Sequence, residues 1–83
     1  MERNLVDIAI SDTGFVFDPT TGQTFRLNKT ALFIVRTLQS GSKLEQVTEK
    51  MVDHFNIDKP TAKEDLKEFL SLMTKMGFHI NAS

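Results

Sequence analysis

Few side chains in this sequence are of a type that does covalent or metal chemistry. The two histidines are His54 and His79. His54 has Asp53 beside it in sequence. Neighbours along a helix diverge by about 100°, however, so adjacency alone builds no site. The plainer role for His54 is at a helix end, where a cation complements the C-terminal dipole. His79 reads as a partly packed wing residue, and two histidines so far apart with no evident third ligand make no metal site. Cysteine is absent, which excludes thiolate zinc, a disulfide scaffold and a thiol nucleophile together. Among the carboxylates, Glu45 and Glu64 suit helix caps, while Asp12 and Asp18 suit turns. The glycines stand singly at 14, 22, 41 and 77, so no glycine-rich loop cradles a phosphate. The expectation is a protein with no catalytic residue, no metal and no cofactor.

Size and charge narrow the classes further. The 83 residues suit one small domain, 1–83, with a modest core. Ten Lys plus Arg against eleven Asp plus Glu leave a net charge of −1. A nucleic-acid binder usually carries a basic excess, because phosphate neutralisation supplies most of its non-specific affinity. The opening "MERNLVDIAIS" has charges at positions 2, 3 and 7, unlike a signal peptide. No segment approaches the roughly 20 apolar residues of a membrane span. The expected compartment is the cytoplasm.

The elements that position the remaining residues follow from pattern. In "NLVDIAIS", Val6, Ile8 and Ile10 share one face, the alternation of a strand. "SDTG" is a turn, "FVF" a second strand, "DPTTG" a second turn through Pro19 and Gly22, and "QTFRL" a third strand. Asn28 is a good N-cap for a helix whose Ala31, Leu32, Val35 and Leu38 form a stripe, broadened by Phe33 and Ile34 and stopped by Gly41. Ser42 with Glu45 reads as a capping box for a second helix carrying Leu44, Val47, Met51, Val52 and Phe55. Thr61 with Glu64, after Pro60, reads as another, opening a third helix with Leu66, Phe69, Leu70, Met73 and Met76. "FHI" is a possible terminal strand. The predicted architecture is α+β and winged helix-turn-helix-like: a three-stranded antiparallel sheet followed by three helices.

A helix pair after strands raises the possibility of a DNA-binding transcriptional regulator. The third helix, "TAKEDLKEFLSLMTKM", sets Lys63, Lys67 and Lys75 against Glu64, Asp65 and Glu68, a net charge of zero. It has no Arg, Asn or Gln to read a base edge, and acidic residues fill its first turns, where recognition helices make most contacts. Only the analogy of fold favours DNA.

A peptide suits the residues better. The third strand, Gln23, Thr24, Phe25, Arg26 and Leu27, lies last in the predicted sheet, with no proline and only Arg26 as a charged guard. An extended peptide adding to that edge would take affinity from backbone bonds and selectivity from pockets. On the third helix Lys63, Lys67, Leu70 and Thr74 form a stripe beside the core stripe, a possible second wall whose lysines would draw an acidic peptide. The residues alone leave open whether the edge is free, covered by the C-terminal tail, or used to pair two copies of the chain.

The run "GQTFRLNKTALFIVRTLQSG…VTEKMVDHF…EDLKEFLSLMTKMGF" resembles the PqqD family, the peptide chaperones also called RiPP recognition elements. Leu27-Asn28 at the strand-to-helix joint, Ala31, Gly41, Asp65-Leu66, Phe69-Leu70 and Gly77 carry the likeness, which spans roughly residues 5 to 80. The family often has Asp where Ser40 stands and Glu before an apolar residue where Gln46-Val47 stands, departures that touch the subgroup making pyrroloquinoline quinone more than peptide binding. The resemblance implies a non-catalytic domain that binds the leader of a ribosomally made precursor as an added strand. It then presents that peptide to a modifying enzyme, often a radical-SAM protein. Carried onto this chain, the implied groove is Gln23, Thr24, Phe25, Arg26 and Leu27 on one side and Lys63, Leu66, Lys67, Leu70 and Thr74 on the other.

Overall fold

The structure, a computed structural model, describes residues 3–4, 8–18 and 21–79, with side-chain surroundings for 8–18 and 21–78. The elements in chain order are β1 (Arg3–Asn4), β2 (Phe15–Asp18), β3 (Gln23–Arg26), α1 (Lys29–Gln39), α2 (Leu44–Phe55), α3 (Lys59–Lys75) and β4 (Phe78–His79). Leu5, Val6, Asp7, Pro19 and Ile80, which the sequence reading placed in strands and a turn, fall outside the described residues.

Among the described residues, the antiparallel sheet holds two strands, β2 and β3, rather than the three expected. The segment before β2 touches it at a single bridge, Ile10 opposite Val16. Beyond one further bond to β2 from Ser11, its carbonyls are committed elsewhere. The Ser11 N–H donates to the Phe15 carbonyl at 2.9 Å, and the Gly14 N–H returns to the Ser11 carbonyl at 3.0 Å. Arg36 Nη2 and Gln39 Nε2, both on α1, donate to the carbonyls of Ser11 and Ile8 at 3.1 and 2.8 Å. A tight turn and two helix side chains thus take up groups that a longer ladder needs. β1 pairs instead with β4, in parallel, Arg3 opposite Phe78 and Asn4 opposite His79.

The hairpin of β2 and β3 sorts its side chains by alternation. Val16 is fully buried and lies opposite Phe25; Phe15 and Phe17 stand exposed on the outer face, opposite Arg26 and Thr24. Gly14 is set by its surroundings: φ is +92°, and a Cβ there would lie 3.1 Å from the Leu27 carbonyl oxygen. Glycine alone takes both the conformation and the close approach without strain.

Each helix starts on a polar side chain, two of them not where expected. Asn28 Oδ1 accepts from the Ala31 N–H at 2.8 Å, as the sequence suggested. α2 is capped at Lys43, whose N–H donates to Gln46 Oε1 at 2.8 Å, while Ser42 is buried and its Oγ accepts from Lys50 Nζ at 2.8 Å. α3 begins before Pro60 because Asp58 Oδ1 accepts from the Thr61 N–H at 3.0 Å and proline is tolerated in the first turn. Hydrogen bonds from the Thr61 side chain and backbone hold the Asp58 carboxyl below the ordinary value.

The core gathers one stripe from each helix. Ile34, Val35 and Leu38 of α1, Val47 and Met51 of α2, and Ala62, Leu66, Phe69 and Met73 of α3 close over Val16, Leu27 and Phe78. These are the helical-period positions of the sequence, with Ala62 added. Met76, expected in the core, is 37 % exposed.

Candidate peptide-binding site

The free edge of the hairpin is defined by hydrogen bonding. The Leu27 N–H donates to the Gly14 carbonyl at 2.8 Å, so Leu27 turns its main-chain groups toward β2. Main-chain direction alternates along a strand, and Phe25 therefore also faces β2, while Thr24 and Arg26 point their N–H and C=O groups to the other edge. No described strand pairs along that edge. β4 approaches without filling it: the Phe78 and Phe25 rings sit 6.1 Å apart and tilted by 58°, but the main chain of β4 pairs with β1.

That edge borders a groove of about 490 Å³, within the range of ordinary ligand sites. Phe25, Arg26, Leu27 and Asn28 with the start of α1 form one wall, and Asp65, Glu68, Phe69, Leu72, Met73 and Met76 of α3 form the other. Phe69 and Met73 reach it from the core, while Leu72, 53 % exposed, and Met76 carry its apolar surface out into solvent. A large apolar pair held open on a small domain is the kind of surface that a partner covers.

The sequence-derived residues divide. Phe25, Arg26 and Leu27 line the groove; Gln23 and Thr24 are exposed at the start of the same strand, with Thr24 on the free edge. None of the five residues proposed on α3 lines this groove. Lys63 and Lys67 border a shallow surface that shares Glu68 and Leu72 with it. Leu66 is buried toward α2, Leu70 packs on the core, and Thr74 is exposed with its hydroxyl donating to the Leu70 carbonyl at 2.9 Å. At about 100° per residue, the Lys63–Lys67–Thr74 stripe and the Asp65–Leu72–Met76 stripe lie on opposite flanks of the core stripe, roughly 180° apart. Leu72, four residues before Met76, was the available signal: an apolar pair beside a core stripe already complete without it.

His54 keeps apart from this groove. His54 is exposed at the end of α2 and stacks on Phe33, with ring centres 4.4 Å apart. Among the described residues no group of three His, Cys, Asp or Glu is placed to hold a metal ion, and no helix is long and apolar enough to cross a membrane.

The site and fold thus define a small α+β domain with an open strand edge over an apolar groove. A profile of the family described as coenzyme PQQ synthesis protein D (PqqD) matches residues 14–78. The chain belongs to the PqqD family. A solved structure described as "Lasso peptide synthetase B1 complexed with the leader peptide" has the same fold, with a TM-score of 0.73 and 24 % identity over 86 % of this chain and 85 % of that one. A search of curated proteins returns no significant match.

Proposed function

We propose that this protein is a non-catalytic adaptor that captures the leader of a ribosomally made precursor peptide as a strand added to β3. The carrying observation is the edge at Thr24 and Arg26, along which no described strand pairs and which opens onto an apolar groove against α3. Such an arrangement suits strand addition: the edge supplies sequence-independent backbone bonds, and Phe69, Leu72, Met73 and Met76 receive alternate side chains. Family membership supports the reading, as does the likeness in fold to a leader-binding lasso peptide synthetase. The winged-helix-like arrangement belongs to it too, with the hairpin as wing and α2–α3 as the helix pair.

In this account the peptide is bound on one side and left accessible on the other, so that a radical-SAM or other peptide-modifying enzyme, in the cytoplasm, can act on the following core segment. The test is a titration of isotope-labelled protein with synthetic leader peptides, with duplex DNA as a parallel probe. Amide shifts gathered on residues 23 to 28 and 65 to 76 are the expected outcome. Shifts elicited by DNA alone would reassign the domain as a regulator, and shifts that depend only on protein concentration would reassign it as a self-pairing subunit.

A further inference from the structure

The groove is not uniform along its length, and that gradient restricts which peptides fit. At one end α3 contributes Leu72, Met73 and Met76, an apolar surface that lines the groove with Phe25. Toward the other end the same face of α3 bears Asp65 and Glu68, the first half-buried and the second exposed. Neither carboxylate has an ion pair or hydrogen bond with a described residue. The one cation lining the groove, Arg26, has its guanidinium 5.6 Å over the Phe15 ring on the hairpin's outer face, so it is engaged away from them. Of the four lysines of α3, Lys63, Lys67 and Lys75 line the neighbouring surface and Lys59 lies toward α2. The groove therefore presents an apolar end and an end with two carboxylates that no described side chain pairs.

We propose, resting on the strand-addition reading, that the peptide taken here carries an apolar residue and, four positions away on the same face, a lysine or arginine. The spacing is geometric. Glu68 and Met76 are eight residues apart, or about 12 Å along the helix. An extended chain covers that distance in about four residues at roughly 3.3 Å each. Four is even, and side chains two or four apart share a face of a strand, so the anchor and the cation point into the groove together. The anchor gives affinity by burial, and the cation fixes which way along the groove the segment runs.

The test is a display selection with a random nonapeptide library on the intact protein, counter-screened on Thr24→Pro. Enriched peptides are expected to show an apolar residue and Lys or Arg at that separation and to lose binding to Thr24→Pro. Replacing the enriched cation by Glu in a synthetic copy should weaken binding on the order of fivefold in low salt, and less at high salt, as for partly exposed ion pairs. In a doubly substituted Asp65→Lys, Glu68→Lys protein, whose fold is checked by circular dichroism, the preference should invert to acidic peptides. Enrichment with no basic bias, or a Glu-substituted peptide that binds equally well, overturns the inference while leaving edge capture intact. Selected peptides that bind Thr24→Pro as tightly as wild type, or a library that yields no binder, overturn both.

Discussion

The two edges of the β2–β3 hairpin have opposite fates. On the β2 side, Ser11 closes the edge from both directions: its N–H donates to the Phe15 carbonyl, its Oγ accepts from the Phe15 N–H at 3.0 Å, and Ile10 bridges to Val16. On the β3 side, Thr24 and Arg26 face a groove. A fold of this size can finish an edge with four residues and a turn, and does so once. The other edge, along which no described strand pairs, exposes a template for unwanted pairing. Its shortness and the adjoining α3 limit that hazard while keeping the edge usable by a single extended segment.

Proline substitutions separate the two edges most sharply. Phe25→Pro removes a donor aimed at β2 together with a side chain packed on the core, and should abolish cooperative unfolding by circular dichroism. Thr24→Pro removes only a donor on the free edge. It should retain the fold and lose peptide binding at least tenfold by fluorescence anisotropy; a collapse of both variants alike would mean Thr24 faces β2. The next effect is on the groove wall. Leu72→Ser should leave the midpoint of thermal unfolding nearly unchanged, since Leu72 is half in solvent, yet weaken a leader peptide about tenfold if its side chain is buried on binding. Gly14→Ala sharpens the comparison at the joint of the two edges. Forcing alanine to positive φ should lower stability by about 1–2 kcal/mol in denaturant titration, with a shift at the Leu27 amide that reports displacement of β3. The smallest effect is expected on the far flank of α3. Lys67→Glu should change leader affinity less than Leu72→Ser does, and the reverse order would move the peptide to the lysine stripe.

Much of this was legible in the residues, and the gaps have physical causes. The core stripes followed from period alone, because burial of one helix face is a local pattern. Which flank of α3 meets β3 is not local: every stripe has two flanks, and the choice depends on how the helix rolls on α2 through Leu66. The β3 half of the groove was readable because strand order and absence of proline mark an edge. The missing third strand was not, since the alternation of Ile8 and Ile10 is genuine and both pack against the core. Competition from Arg36 and Gln39 for the carbonyls of that segment is a tertiary event. The caps show the same limit on a smaller scale. Ser42 and Thr61 have the right spacing to Glu45 and Glu64, but Lys50 holds Ser42 inside, and Asp58 begins α3 most of a turn earlier.

Amide hydrogen exchange reads the unfinished edge directly. In the free protein the Thr24 and Arg26 amides should exchange fast while Phe25 and Leu27, bonded to β2, exchange slowly, and a saturating leader peptide should slow Thr24 and Arg26 specifically. Thr24 and Arg26 already protected without peptide, and unchanged by it, would contradict the account.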